Sequence, residues 1–283
     1  EESTGFATDL APRLAAHNSA AERDLIAHTP AVLRVTHSLS EAQQRALSRC
    51  VRVMMDGMVH YQGQETLDGV SDQLAMDRYC YYVAGVVGEM LTELFCDFCP
   101  EMQTRREQLM PLAVSFGQGL QMTNILKDIW EDRARGACWL PRSEFEPRGI
   151  ILSTVGPGRG GEAFSAGIRA LIGITHGHLR NALEYTLAIP ARETGMRKFC
   201  LWALGMAILT LRKLDQHPDF VDGQQVKISR RAVKATVLAT SALAAQDSLL
   251  RGLFAFSALG LPRRPVMARG PTFIEGMEAQ HAL

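Results

Sequence analysis

One stretch, FGQGLQMTNILKDIWEDRARGACWLP at residues 116–141, constrains this chain more than any other. No proline interrupts it between Pro111 and Pro141, and Met122, Leu126, Ile129 and Trp130 recur at helical spacing, so a helix is expected over residues 109–133. At about 3.6 residues per turn, Gln121, Asn124, Asp128 and Asp132 share one face, offset from the apolar stripe, with Lys127 and Glu131 flanking them. Two carboxylates one turn apart repel each other weakly in water and far more strongly when buried without a cation between them. Oxygen ligands spaced as Asp-x-x-Glu-Asp suit Mg2+, which keeps several waters and is completed by substrate phosphates. An acidic face turned to solvent is the plainer reading. Three features weigh against it: the polar run continues upward through Asn124 and Gln121, Gly117 and Gly119 leave room one turn above, and the opposite side is apolar enough for a core.

The rest of the chain also reads as helix. Short helical patterns run over residues 6–16 and 21–34, with Pro30 near the start of a second helix. A longer one is expected over 40–62, opened by Ser40 with Gln43 at the capping-box position. The next spans 71–98, where Ala84, Gly85 and Gly88 let another backbone come close and three tyrosines need partners for their hydroxyls. Helices follow over 163–188, which contains His176 and His178, over 192–214, apolar nearly all round, and over 228–259; the tail from Gly260 is irregular. The fold class is therefore all-α, with long antiparallel helices around a central cavity. Nothing between residues 71 and 251 looks like a linker, which favours one domain over 1–283.

Composition excludes some functions. The net charge is zero, which argues against a general nucleic-acid binder. No apolar run reaches about 18 residues, so no transmembrane helix is expected. The six cysteines lie scattered in apolar segments; the Cys96–Cys99 pair has CxxC spacing but no second pair or nearby histidines to complete a zinc site, so all six read as reduced thiols of a cytoplasmic protein. His176 and His178 are two residues apart, hence on different helix faces, and His60 stands alone, so all three read as structural. The basic cluster Arg230, Arg231 and Lys234 is either a solvated helix start or part of a phosphate pocket.

Three segments together resemble the squalene/phytoene synthase family, on its squalene-forming side. QMTNILKDIWED resembles the family's second aspartate-rich motif, and DRYCYYVAGVVG, from Asp77 to Gly88, its tyrosine-bearing helix on the opposite wall. FCLWALGMAILTL, followed by VKI at residues 226–228, resembles a segment of the squalene-forming members. The resemblance implies an isoprenoid-synthase-like helical bundle. It implies head-to-head condensation of two farnesyl diphosphates to presqualene diphosphate, followed by NADPH-dependent reduction to squalene. Asp128 and Asp132 would hold Mg2+, and Gln121, Asn124, Lys127 and Glu131 would meet diphosphate or metal-bound water. Tyr79 matches a tyrosine assisting proton removal in the first half-reaction, and Phe199 a phenylalanine needed in the second. Phe199, Leu201 and Met206 would line the apolar tunnel. Lys227 matches a lysine that meets the NADPH phosphate; Ser229 stands where the family often has arginine, with Arg230 beside it as a substitute.

The family's first aspartate-rich motif is expected upstream of Glu1 and Glu2. The chain is thus expected to lack its N-terminal helices and, as written, to be inactive. A monomer is expected, with transient peripheral contact to a membrane because the product is long and apolar. Competing readings are a dehydrosqualene or phytoene synthase that stops before hydride transfer, a non-catalytic relative serving in assembly, and an unrelated helical binding protein.

Overall fold

A computed structural model describes residue 9, residues 19–63 and residues 65–270. Apart from residue 9, the expected helix over 6–16 lies outside the described residues, as do Glu1 and Glu2. By its contacts the chain divides into two compact units, Glu1–Arg49 and Cys50–Leu283. In the first unit, α1 (Ala20–His37) starts on a capping box in which the Ser19 hydroxyl accepts the Glu22 N–H and the Glu22 carboxylate accepts the Ser19 N–H. Pro30 lies inside α1 rather than at the start of a second helix, since helix-forming residues on both sides carry the helix past one missing N–H. Helix α2 (Glu41–Tyr61) opens on the expected Ser40–Gln43 box, with reciprocal hydrogen bonds of 3.3 and 3.2 Å.

In the second unit the expected helix over 71–98 is interrupted. Helix α3 (Gln73–Cys80) is capped by Asp72 rather than Ser71, a π turn follows at Tyr81–Gly85, and α4 spans Val86–Phe98. This irregular turn lies where two backbones touch. A methyl group on Gly88 would come within 2.3 Å of the Ala113 carbonyl oxygen, and one on Gly117 within 2.3 Å of that of Ala84. The small-residue patch is therefore a crossing point with α5 (Arg106–Lys127). Substituting Gly88 by valine is expected to destabilise the fold by about 3 kcal/mol, because the obstructing atoms are main chain and cannot rotate away; a thermal melt within 1 °C of the parent's would contradict the crossing.

The expected continuous helix over 109–133 bends at Asp128 (φ −101°, ψ 18°), which separates α5 from α6 (Ile129–Ala134). The ladder still carries across, since the N–H of Asp128 donates to Asn124 and that of Asp132 to Asp128, each at 2.8 Å. Beyond the bend, the Trp130 indole donates to the Phe220 carbonyl at 2.6 Å, an anchor that fixes the direction of α6.

Helix α7 (Gly161–Ala188) packs along α5, where Ser115 Oγ lies 2.8 Å from His178 Nδ1. Burial pushes the His178 pKa from 6.5 down to about 4. A depressed histidine contributes stability that is fully present above pH 6.5 and is lost as the pH falls toward 4, because the unfolded chain then binds the proton that the folded one refuses. The parent should therefore lose on the order of 2–3 kcal/mol of stability over that window relative to His178→Gln, measured as urea midpoints against pH.

Helix α8 spans Thr194–Gln216, and two helices follow in place of the single one expected over 228–259: α9 (Arg230–Leu243) and α10 (Asp247–Ser257). The break falls where buried Arg197 takes the Ala244 carbonyl at 3.1 Å. Contrary to expectation, α8 is not buried all round, since Phe199 is 53% and Trp202 38% exposed. Residues 260–270 are irregular, as expected, and lie along α7: the Arg264 N–H donates to Gly173 at 3.2 Å, Asn181 Nδ2 donates to Val266 at 3.2 Å, and the Pro262 carbonyl lies 2.8 Å from His176 Nδ1. Among the described residues there is no strand beyond one bridge between Val70 and Pro141. All six cysteines are free and buried. No helix of the described residues is long and apolar enough to cross a membrane.

Candidate active site

Two cavities flank the C-terminal half of α5. The first, of about 370 Å³, is apolar; Val87, Leu91, Phe95, Phe116, Tyr185 and Phe199 line most of it, and Gln121 and Asn124 stand in its wall. The second is an open cleft of about 640 Å³ between α5, α8 and the start of α9, lined by Asn124, Lys127, Met206, Lys227, Arg230 and Lys234 among others. Leu120, Asn124 and Ala203 belong to both walls, so the apolar cavity and the basic cleft meet across one polar residue, Asn124. The structure thus brings Gln121, Asn124 and Phe199 together on one side, and Asn124, Lys127, Lys227 and Arg230 together on the other. Leu201 does not join them. Its side chain packs with Ala244 and Leu250 on the far side of α8, because it lies two residues from Phe199 and so turns away from it.

The basic cleft is built against the usual preference of a helix. Arg230 and Arg231 open α9, whose first turn holds no acidic residue, so these cations face the positive end of the helix dipole. Ser229 caps α9 instead of contributing charge, its hydroxyl accepting the Ala232 N–H at 3.1 Å. That accounts for the serine at this position and leaves Lys227 and Arg230 as the cations on either side of it. The turn before Lys227 (Gly223–Val226) is seated on the aspartate-bearing segment: a methyl group on Gly223 would lie 2.6 Å from Glu131 Oε1 and 3.2 Å from the Lys127 carbonyl. Glu131 therefore supports the loop that carries Lys227 and does not face either cavity.

Asp128 and Asp132 lie below the cleft, one turn apart across the bend, and are not among the residues lining either cavity. Lys127 Nζ lies 3.2 Å from Asp128 Oδ2, and Arg135 donates to Asp132 Oδ1 at 2.5 Å. The Asp132 carboxyl is 16% exposed, and burial holds its pKa above the usual carboxylate value despite Arg135. A half-buried pair of hard oxygen donors that cations have not fully compensated fits a divalent ion of the Mg2+ type. Among the described residues no cluster of three or more His, Cys, Asp or Glu side chains accompanies them.

Tyr79 is buried within electrostatic reach of Asp132. Burial, with smaller contributions from Cys80, Asp132 and Tyr61, holds its phenol far above the ordinary value, so it keeps its proton. One face of the ring stacks on Trp139 at 3.8 Å and 7°, and Tyr61 meets it edge-on at 5.1 Å. Trp139, Tyr61 and Arg135 were not identified from the sequence as neighbours of the site. Trp139 and Arg135 stood within the 116–141 stretch, and a ring and a cation following two aspartates were the available signal.

Fold and cavities together define an all-α protein of the helical isoprenoid-synthase class. The solved structure of TcSQS with a bound ligand superposes with a TM-score of 0.69 at 21% identity, covering 97% of this chain and 81% of that one, so the fold is shared. The squalene/phytoene synthase family profile matches residues 7–232. The chain belongs to the squalene/phytoene synthase family. It is 30% identical to a squalene synthase of Cyberlindnera jadinii over 80% of this chain and 51% of that protein, and 30% identical to a squalene synthase of Eremothecium gossypii over 67% and 43%. It is also 30% identical to a 15-cis-phytoene synthase of Pantoea ananas, over 61% of this chain and 51% of that protein. The chain spans about half the length of these curated relatives.

Proposed function

We propose that this protein joins two farnesyl diphosphates head to head to form presqualene diphosphate and reduces that product to squalene with NADPH. The observation that carries the reading is the meeting, at Asn124, of an apolar cavity with a cleft lined by Lys127, Lys227, Arg230 and Lys234. A farnesyl diphosphate has the same division, an apolar chain ending in a concentrated negative charge. Asn124 and Gln121 hydrogen-bond the leaving diphosphate at the mouth. Lys127 adds a cation that already lies within 3.5 Å of Asn124 Oδ1. The walls of Phe95, Phe116 and Leu91 keep water from an allylic cation that it would otherwise quench. Phe199, half exposed at the rim, offers a ring face to the same cation. Tyr79, still protonated and held in place by Trp139, would pass the proton lost from the cation through its hydroxyl to the departed diphosphate, which is the base.

Asp128 and Asp132 are the residues that would hold Mg2+, which when bound neutralises the charge of the departing diphosphate. Lys227 and Arg230 would take a phosphate of NADPH, the hydride donor of the second half-reaction. Arg230 and Arg231 at the start of α9 are costly without an anion to meet, and this favours an anion beside Arg230.

Binding of farnesyl thiodiphosphate, a slow-reacting analogue, should require Mg2+; metal-independent or absent binding would contradict the reading. The reductive step is tested separately by product analysis with and without NADPH. In protein that carries both aspartate-rich motifs, squalene should appear only with NADPH, whereas dehydrosqualene or phytoene under both conditions would place the protein with the non-reducing members. Lys227→Gln should raise the NADPH requirement about tenfold and slow the reductive step more than presqualene diphosphate formation, as measured by product ratio.

A further inference from the structure

We infer that a second cavity, enclosed by α3, α7 and residues 264–269, binds a small oxyanion that carries a hydroxyl, of the monohydrogen phosphate or phosphate monoester type. The cavity has a volume of about 350 Å³ and is lined by Gln73, Asp77, Arg78, Gln118, His178 and Arg264 among others. None of these residues lines the apolar cavity or the basic cleft.

Three side-chain atoms of residues that line this space are buried without a hydrogen-bond partner among the described residues: Gln73 Oε1, Arg78 Nε and His178 Nε2. His178 is 2% exposed, and its other nitrogen is already engaged by Ser115. A native fold leaves few such atoms, and three around one cavity specify what fills it. The Arg78 guanidinium makes no ion pair with the described residues, and an unpaired cation with a buried N–H calls for an anion rather than for water alone.

The surrounding charges agree. Arg78, Arg264 and Arg269 line the cavity, with Asp77 and Glu144 as its carboxylates. Glu144 is already taken, accepting from Arg264 at 3.1 Å and from Arg148. Asp77 accepts from Gln73 Nε2 at 2.7 Å, which leaves Gln73 Oε1 as a buried acceptor without a donor. The ligand must therefore accept from Arg78 and donate to Gln73, which an oxyanion bearing an O–H does and a fully deprotonated one does not. Burial has also raised the Asp77 pKa to about 6, against the opposing pull of the Gln73 hydrogen bond and of Arg269. One wall, residues 264–269, lies beyond the family-matched region ending at 232, so the cavity is not composed only of what this chain shares with its relatives.

The test is calorimetry with inorganic phosphate and with sulfate, without divalent ions, on the whole chain. Phosphate should bind saturably, and sulfate at least tenfold more weakly because it leaves Gln73 Oε1 unmet. Arg78→Gln should weaken phosphate at least tenfold and, having no protein partner to lose, should melt no lower than the parent in phosphate-free buffer. Arg78→Lys, which keeps the charge without the fork, should lose less. Arg45→Gln, on the exposed face of α2 and outside every cavity described, should leave phosphate binding unchanged. No saturable binding, equal affinity for sulfate, indifference to Arg78→Gln, or loss in Arg45→Gln would each overturn the assignment. None of these readouts depends on catalysis, so they stand or fall apart from the proposed prenyl transfer.

Discussion

Replacing Arg197 by methionine is expected to cost about 3–5 kcal/mol of stability, the largest loss from any single substitution outside the active site. Arg197 is 2% exposed. Its guanidinium takes the Ile189 carbonyl through two nitrogens at 2.8 and 2.6 Å, and the Leu187 and Ala244 carbonyls at 3.1 Å each. It also takes the Asp247 carboxylate at 2.5 Å. Three carbonyls from the end of α7 and from the break between α9 and α10 thus depend on one side chain. Methionine fills the volume but leaves them without donors, and a buried acceptor stripped of its partner costs the full desolvation penalty. Arg197→Lys should recover little, because an ammonium cannot span the fork of acceptors. The measurement is the urea midpoint; a loss under 1 kcal/mol would show that water or a shifted main chain replaces the guanidinium.

The second large effect concerns ligand binding. Asp128→Asn and Asp132→Asn are each expected to weaken Mg2+-dependent pyrophosphate binding by about 100-fold or more, while the circular dichroism spectrum and melting temperature stay close to the parent's. Each substitution removes a hard anionic donor and leaves a cation, Lys127 or Arg135, without its partner. Asp132→Asn should show the smaller stability change at low pH, since burial already favours the protonated form of that carboxyl. Unchanged affinity in both variants would remove the aspartates from the proposed metal site and leave the basic cleft to account for any pyrophosphate bound.

Much of this protein was legible because its signals are local. The capping box at Ser40, the apolar periodicity of α5 and the small residues at Gly85 and Gly88 are each set within one or two helical turns, where spacing alone determines which groups meet. The polar residues from Gln121 to Asp132 were likewise legible along the chain, although the structure puts Gln121 and Asn124 in a cavity wall and Asp128 and Asp132 at and beyond the bend below it. What failed was continuity. The π turn after Cys80, the bend at Asp128 and the break before Asp247 all interrupt stretches whose local preference is helical. Each lies where a distant group acts on the main chain or beside it: Ala113 against Gly88, Phe220 receiving the Trp130 indole, Arg197 drawing on Ala244. Helix propensity differs by less than about 1 kcal/mol per ordinary residue, so one such tertiary contact outweighs it.

The sequence by itself determined the all-α class, the edge that carries Asp128 and Asp132, and the cluster of cations around Lys227, because period and charge are properties of neighbours along the chain. Only the tertiary structure decided that Asn124 stands in both cavities, that Trp139 stacks on Tyr79, and that Gln73, Arg78 and His178 converge without partners. Those juxtapositions join residues on different helices, and their geometry follows from how helices cross and bend rather than from the order in which the residues occur.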